Sequence, residues 1–275
     1  MQWQETLLRR CDGCSFYCRT MGQGQPLLLI HGAAVDSEFF LETGALLAEH
    51  FRVIIYDRGG YGRSVEETET IIEDCREYFI RQGDDAAYVV SALAPGEKAL
   101  VLGCSCGAAV AGFFAAYHPE LVERVLMHEP PIYALMEDDL ESWGLINSIL
   151  EALDKGKYHR ALNRFLLFLH SSSSSSEKEM TETEMDNFMV NGMIFIRREF
   201  RHGFDQNMMI PTLDGATHPG VMWGSDGVGM PLVECAARAA KELDCPLYEI
   251  SGGHNAARET PEAFARDVLP LLQSR

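Results

Sequence analysis

Short apolar runs, each closed by glycine, proline or polar residues, recur along the chain and set its rhythm. Residues 26–30, 51–56, 99–102, 122–127, 220–224 and 247–250 are of this kind, several of them apolar at every position. Runs this short and this continuously apolar read as strands buried on both faces of a parallel sheet. Ahead of them, residues 5–10 and 15–20 flank Asp12-Gly13, a turn pair that predicts two antiparallel strands. Between the runs the period changes. Residues 70–93 place Ile71, Cys75, Tyr78 and Phe79 on one helical stripe before Pro95-Gly96 breaks it. Residues 232–243 are helical, and Thr260-Pro261-Glu262 opens a terminal helix reaching about Leu272, with proline at the first helical position. Strands alternating with helices at this spacing predict an α/β fold, a doubly wound and mostly parallel eight-stranded sheet.

Residues 132–211 break the alternation, because consecutive helical patterns follow one another with no strand run between them. They read as an insertion after the sixth strand, a helical cap over a core made of residues 1–131 and 212–275. Thr181-x-x-Glu184 is a capping box for its last long helix, on which Met185, Phe188, Met189, Met193 and Ile196 recur at helical spacing. That stripe either buries itself on the layer below, or some of it, Met185, Met189 and Met193, lines an apolar substrate pocket. Residues 171–176 are six consecutive serines, which bury no apolar surface and read as a mobile loop.

Composition narrows the classes of function. A formal net charge of -18 repels phosphate backbones and anionic membranes, so neither nucleic acid nor a membrane is an expected partner. The first residues lack a basic segment followed by an apolar one, and no apolar run approaches membrane-spanning length, so the expectation is a soluble cytoplasmic protein. Its eight cysteines are expected as thiols. Cys11, Cys14 and Cys18 form a cluster with no second cysteine or histidine pair at zinc-site spacing, and no metal is expected there.

The chemistry gathers at strand ends. Gly103-Cys104-Ser105-Cys106-Gly107 sits between an apolar strand run and a stretch of small residues suited to a closely packed helix. A tight strand-to-helix turn presents a central serine to a base, and the following helix points its first N–H groups at the place where an oxyanion would form. His31-Gly32, Glu129, Asp226 and His254 also follow strand runs, and in an open parallel sheet such ends meet along one edge. The glycine-rich residues 57–64 follow another strand run but lack the Gly-Lys-Ser/Thr ending of a phosphate loop, and so read as a tight connection.

Over essentially its whole length the sequence resembles the α/β-hydrolase superfamily. The resemblance is carried by His31-Gly32, Asp57-Arg58-Gly59-Gly60-Tyr61-Gly62-Arg63-Ser64, the Gly103–Gly107 turn, His118-Pro119-Glu120-Leu121-Val122 and Gly252-Gly253-His254. It implies Ser105 as nucleophile, His254 as its base, and the backbone N–H groups of Cys106 and Ala33 as oxyanion hole. It implies for the residues 132–211 a cap over the active site. The family's order of serine, acid and histidine favours Asp226 as the acid, although it stands one residue before the usual place; Glu129, at the end of the preceding strand, is its rival. Serine at the nucleophile position argues against the dehalogenase and epoxide-hydrolase branches, which use aspartate. The resemblance thus implies a serine hydrolase, carboxylesterase- or lactonase-like, forming an acyl-serine on a small ester, lactone or related acyl substrate. It requires no cofactor, and the chain acts as monomer or homodimer. Its alternatives are a ligand-binding receptor or regulator on the same fold, or a cofactor-free lyase or perhydrolase.

Overall fold

The apolar runs pair into one sheet because each offers a ladder of backbone groups and two apolar faces. The computed structural model describes residues 1–65, 74–172 and 180–274. Its strands are β1 (Gln4–Arg9), β2 (Ser15–Met21), β3 (Pro26–Ile30), β4 (Arg52–Tyr56), β5 (Ala99–Cys104), β6 (Val122–His128), β7 (Gly220–Gly224) and β8 (Leu247–Ile250). They lie in the order β1-β2-β4-β3-β5-β6-β7-β8. β1 and β2 form the expected antiparallel hairpin, β2 is antiparallel to β4, and every other pairing is parallel.

The helices are α1 (Leu41–Leu47), α2 (Cys75–Leu93), α3 (Cys106–Tyr117), α4 (Leu140–Asp154), α5 (Tyr158–Ser172), α6 (Glu182–Arg198), α7 (Phe200–Gly203), α8 (Pro231–Glu242), α9 (Ala256–Glu259) and α10 (Pro261–Gln273). The strand period of two divides the core. Leu28, Ile30, Ile54, Tyr56 and Val101 face α2, α3 and α8, whereas Leu27, Leu29, Val53, Ile55 and Leu102 face α1 and α10. α1 carries no strong periodic signal and was not expected from the sequence.

α4 to α7 follow one another between β6 and β7, with no strand between them among the described residues. Their aromatic rings, among them Phe165, Phe168, Phe195, Phe200 and Phe204, pack on one another and join the apolar layer over α2 and α3. α6 starts at the expected box: the Thr181 hydroxyl accepts from Glu184 N–H, and the Glu184 carboxylate accepts from Thr181 N–H.

Two expectations change at their boundaries. Ser171 and Ser172 are helical rather than loop, because α5 runs through them and the Ser171 hydroxyl donates back to the Phe168 carbonyl; residues 173–176 of the serine run lie outside the described residues. α2 begins at Cys75, with the Asp74 carboxylate accepting from Glu77 N–H, and residues 70–73 of the expected helix also lie outside them. Among the described residues no helix is long and apolar enough to cross a membrane.

Candidate active site

β5 delivers Ser105. The residue holds φ 56° and ψ −129°, a region that costs a non-glycine residue about 1–3 kcal/mol and persists only where its surroundings enforce it. The enforcement is visible on both sides. A Cβ on Gly103 would lie 2.1 Å from the Gly107 carbonyl oxygen across the turn. A Cβ on Gly107 would instead strike the end of β3, 2.3 Å from the Ile30 oxygen and 2.4 Å from that of His31. Both glycines are therefore needed, one for the turn itself and one for the neighbouring strand.

Cys104 and Cys106 flank the serine and are buried. Burial, together with the charges of Glu129 and Glu199 respectively, pushes both thiols well up, away from the thiolate form.

His254 reaches the site on the loop after β8. Gly224 ends β7, and a Cβ there would lie 2.4 Å from the Gly252 oxygen, so the absence of a side chain lets the Gly252-Gly253 turn close onto β7. That closure sets His254 Nδ1 at 2.6 Å from Glu129 Oε2. The other carboxylate oxygen accepts from Gly224 N–H at 2.9 Å. Burial raises the Glu129 carboxyl, but the hydrogen bond from His254, the neighbouring imidazole of His128 and the Gly224 N–H outweigh it and hold it at about 2. Glu129 itself sits at φ 45°. Asp226 lies elsewhere: its backbone N–H donates to the Gly252 oxygen, and its exposed side chain is within reach of the Ser225 hydroxyl only. Of the two carboxylates the sequence offered, the one against His254 is Glu129.

Gly32 lies against Ser105, a Cβ there falling 3.0 Å from that of the serine. Its carbonyl accepts from Arg58 Nη2 at 3.2 Å and from His31 Nδ1 at 2.9 Å. His31 Nε2 accepts from Arg58 N–H, so both ring nitrogens are used and the ring is the neutral Nδ1–H tautomer. Burial and the Arg58 charge lower its basicity in the same sense.

Arg58 is fully buried and pairs with Glu199 at 3.0 Å. Tyr61 and Tyr78 hydroxyls donate to the same carboxylate at 2.7 and 3.1 Å. In the sequence Arg58 stands out only as part of the glycine-rich run 57–64, with no role attached, and Glu199, between Arg198 and Phe200 at a helix end, carries no local signal.

Ser105, His254, Ala33 and Cys106 line a cavity of about 300 Å³ whose walls include Phe165, Leu169, Phe188 and Phe204. Of the α6 stripe, Phe188 lines it. Met185, Met189 and Met193 do not: Met189 and Met193 border a different cleft beside Trp143 and Arg197, and Met185 is exposed. The helix turns Phe188 inward and Met189, the next residue, away from it.

Comparison with known proteins bears on the family. Residues 25–207 match the family described as alpha/beta hydrolase fold. An uncharacterized hydrolase, YraK, of Bacillus subtilis is 29% identical over 272 residues, 95% of this chain and 93% of that protein. A pimeloyl-[acyl-carrier protein] methyl ester esterase of Vibrio cholerae is 26% identical over 171 residues, 60% of this chain and 61% of that protein. Among solved structures, an alpha/beta hydrolase from Sphaerobacter thermophilus superposes with a TM-score of 0.68 at 21% identity, covering 98% of this chain and 100% of that one. A Nostoc protein reaches a TM-score of 0.75 at 17% identity, covering 100% and 99%. With the sheet order and the matched residues in agreement, the chain belongs to the alpha/beta hydrolase fold family.

Proposed function

We propose that this member of a hydrolase family is a serine hydrolase acting on a small, largely apolar carboxylic ester or lactone, with Ser105, His254 and Glu129 as its triad. The observation that carries the reading is the buried His254–Glu129 pair beside a strained serine on the floor of an apolar cavity. Glu129 stays ionised and accepts a hydrogen bond from Nδ1–H, which leaves Nε2 as the nitrogen that removes the serine proton. The Ser105 oxygen then bonds to the substrate carbonyl carbon, and the carbonyl oxygen becomes an anion held by the N–H groups of Ala33 and Cys106. As the carbon–oxygen bond to the alcohol breaks, the alcohol leaves with the proton from His254. Water repeats the sequence on the acyl-serine and releases the acid. These steps use no metal or organic cofactor. The ester chemistry of the Vibrio relative supports an ester over an amide.

The test is labelling and turnover together. A fluorophosphonate should label Ser105, and p-nitrophenyl esters of short and medium chain should give a burst of nitrophenolate followed by steady hydrolysis. A folded protein that neither labels nor turns over any of them would count decisively against the reading.

A further inference from the structure

Two peptide units carry the N–H groups of the oxyanion hole, Gly32–Ala33 and Ser105–Cys106, and a buried ion pair is hydrogen-bonded to the first. In a trans peptide the carbonyl and the N–H point in opposite directions. Arg58 and His31 hold the Gly32 carbonyl from one side, so the Ala33 N–H is turned to the other, where Ser105 lies. Arg58 is held in turn by Glu199, and the charges of both act on the buried Cys106 side chain beside the second donor.

Glu199 follows α6, so this carboxylate belongs to the helical segment between β6 and β7 and not to the sheet layer it serves. We propose that Glu199 is a positioning residue for the oxyanion hole: through Arg58 it fixes the Gly32–Ala33 peptide, and so ties the seating of the helical segment to the chemistry beneath it. A buried ion pair is a poor device for stability alone, since a well-packed apolar pair often does as well. Here the carboxylate collects Arg58, Tyr61 and Tyr78, and Arg58 leads directly to the hole. The inference rests on the serine-hydrolase reading.

α6 supplies an internal control. Asn191, also buried, ties the helical segment to Gly62 and Asp36 without touching Gly32. In Glu199→Gln, kcat is expected to fall about 10–100-fold, less than the roughly 10²–10³ lost with a whole donor, with KM within about threefold. A trifluoromethyl ketone, whose hemiketal anion on Ser105 needs the hole, should bind more weakly by a similar factor. Tyr61→Phe keeps the ion pair and should move both quantities in the same direction by a few-fold, which covers the case in which Glu199→Gln does not fold. Asn191→Ala should lower Tm and leave kcat unchanged. Loss of Tm with unchanged kcat and inhibitor binding in Tyr61→Phe and Glu199→Gln, or an equal loss of kcat in Asn191→Ala, overturns the inference. Ser105→Ala separates the two levels. Wild-type turnover that survives Ser105→Ala overturns the serine-hydrolase reading and this inference with it. Full kcat in Glu199→Gln, with Ser105→Ala inactive, overturns this inference alone.

Discussion

At the scale of single residues, backbone strain and buried charge coincide. Ser105 and Glu129 both hold positive φ, and each lies at the end of a strand, Glu129 against His254 and Ser105 on the cavity that His254 also lines. Replacing Glu129 by Gln should lower kcat about 10³–10⁴-fold, as loss of the acid does in other triads, while Asp226→Asn should leave it within about threefold; steady-state kinetics on one ester decides. The carboxylate also marks the acid limb of stability. Its folded value of about 2 lies below the ordinary 4.5, so the native state favours the ionised form. That contribution, on the order of 3 kcal/mol, is complete above the ordinary value and is lost as pH falls toward the folded one. Wild type should therefore lose more unfolding free energy than Glu129→Gln between about pH 6 and pH 3, as read by denaturant titration of both.

At the scale of elements, glycines that share a composition differ in what they do. A methyl on Gly103 meets backbone at 2.1 Å, whereas one on Gly144, in the exposed face of α4, meets nothing within 4 Å. Gly103→Ala should cost about 3 kcal/mol and abolish activity, while Gly144→Ala should stabilise by up to about 1 kcal/mol; thermal unfolding of the pair measures both. On α6, Phe188→Ala should enlarge the cavity and shift ester preference toward longer chains. Met185→Ala should not, and a chain-length series separates them.

At the scale of the whole molecule, what was legible in the sequence is what adjacent residues determine. The strand runs, the hairpin at Asp12-Gly13, the capping box at Thr181 and the turn around Ser105 are each encoded within a few neighbours, and each is present in the fold. The acid was not legible. Asp226 and Glu129 both follow strands, and the choice between them depends on Gly224 letting the Gly252 turn close, a contact between β7 and a distant loop. Glu199 was invisible for the same reason: its partner Arg58 is 141 residues away. The α6 stripe shows the limit of periodicity, which finds a face and does not say what that face meets.

The capping box of α6 has a second partner. Glu184, whose carboxylate caps the helix, also accepts from Arg258 at 2.9 Å, and Arg258 lines the cavity four residues beyond His254. One carboxylate therefore starts a helix and bridges the two walls of the substrate space through a partly exposed ion pair, the kind that dissolved salt weakens. An uncharged ester diffuses to its enzyme at a rate indifferent to ionic strength. Here its capture, read as kcat/KM, should vary with added salt, and Arg258→Ala should remove that dependence, so that a neutral substrate reports on an ion pair in the wall of its cavity.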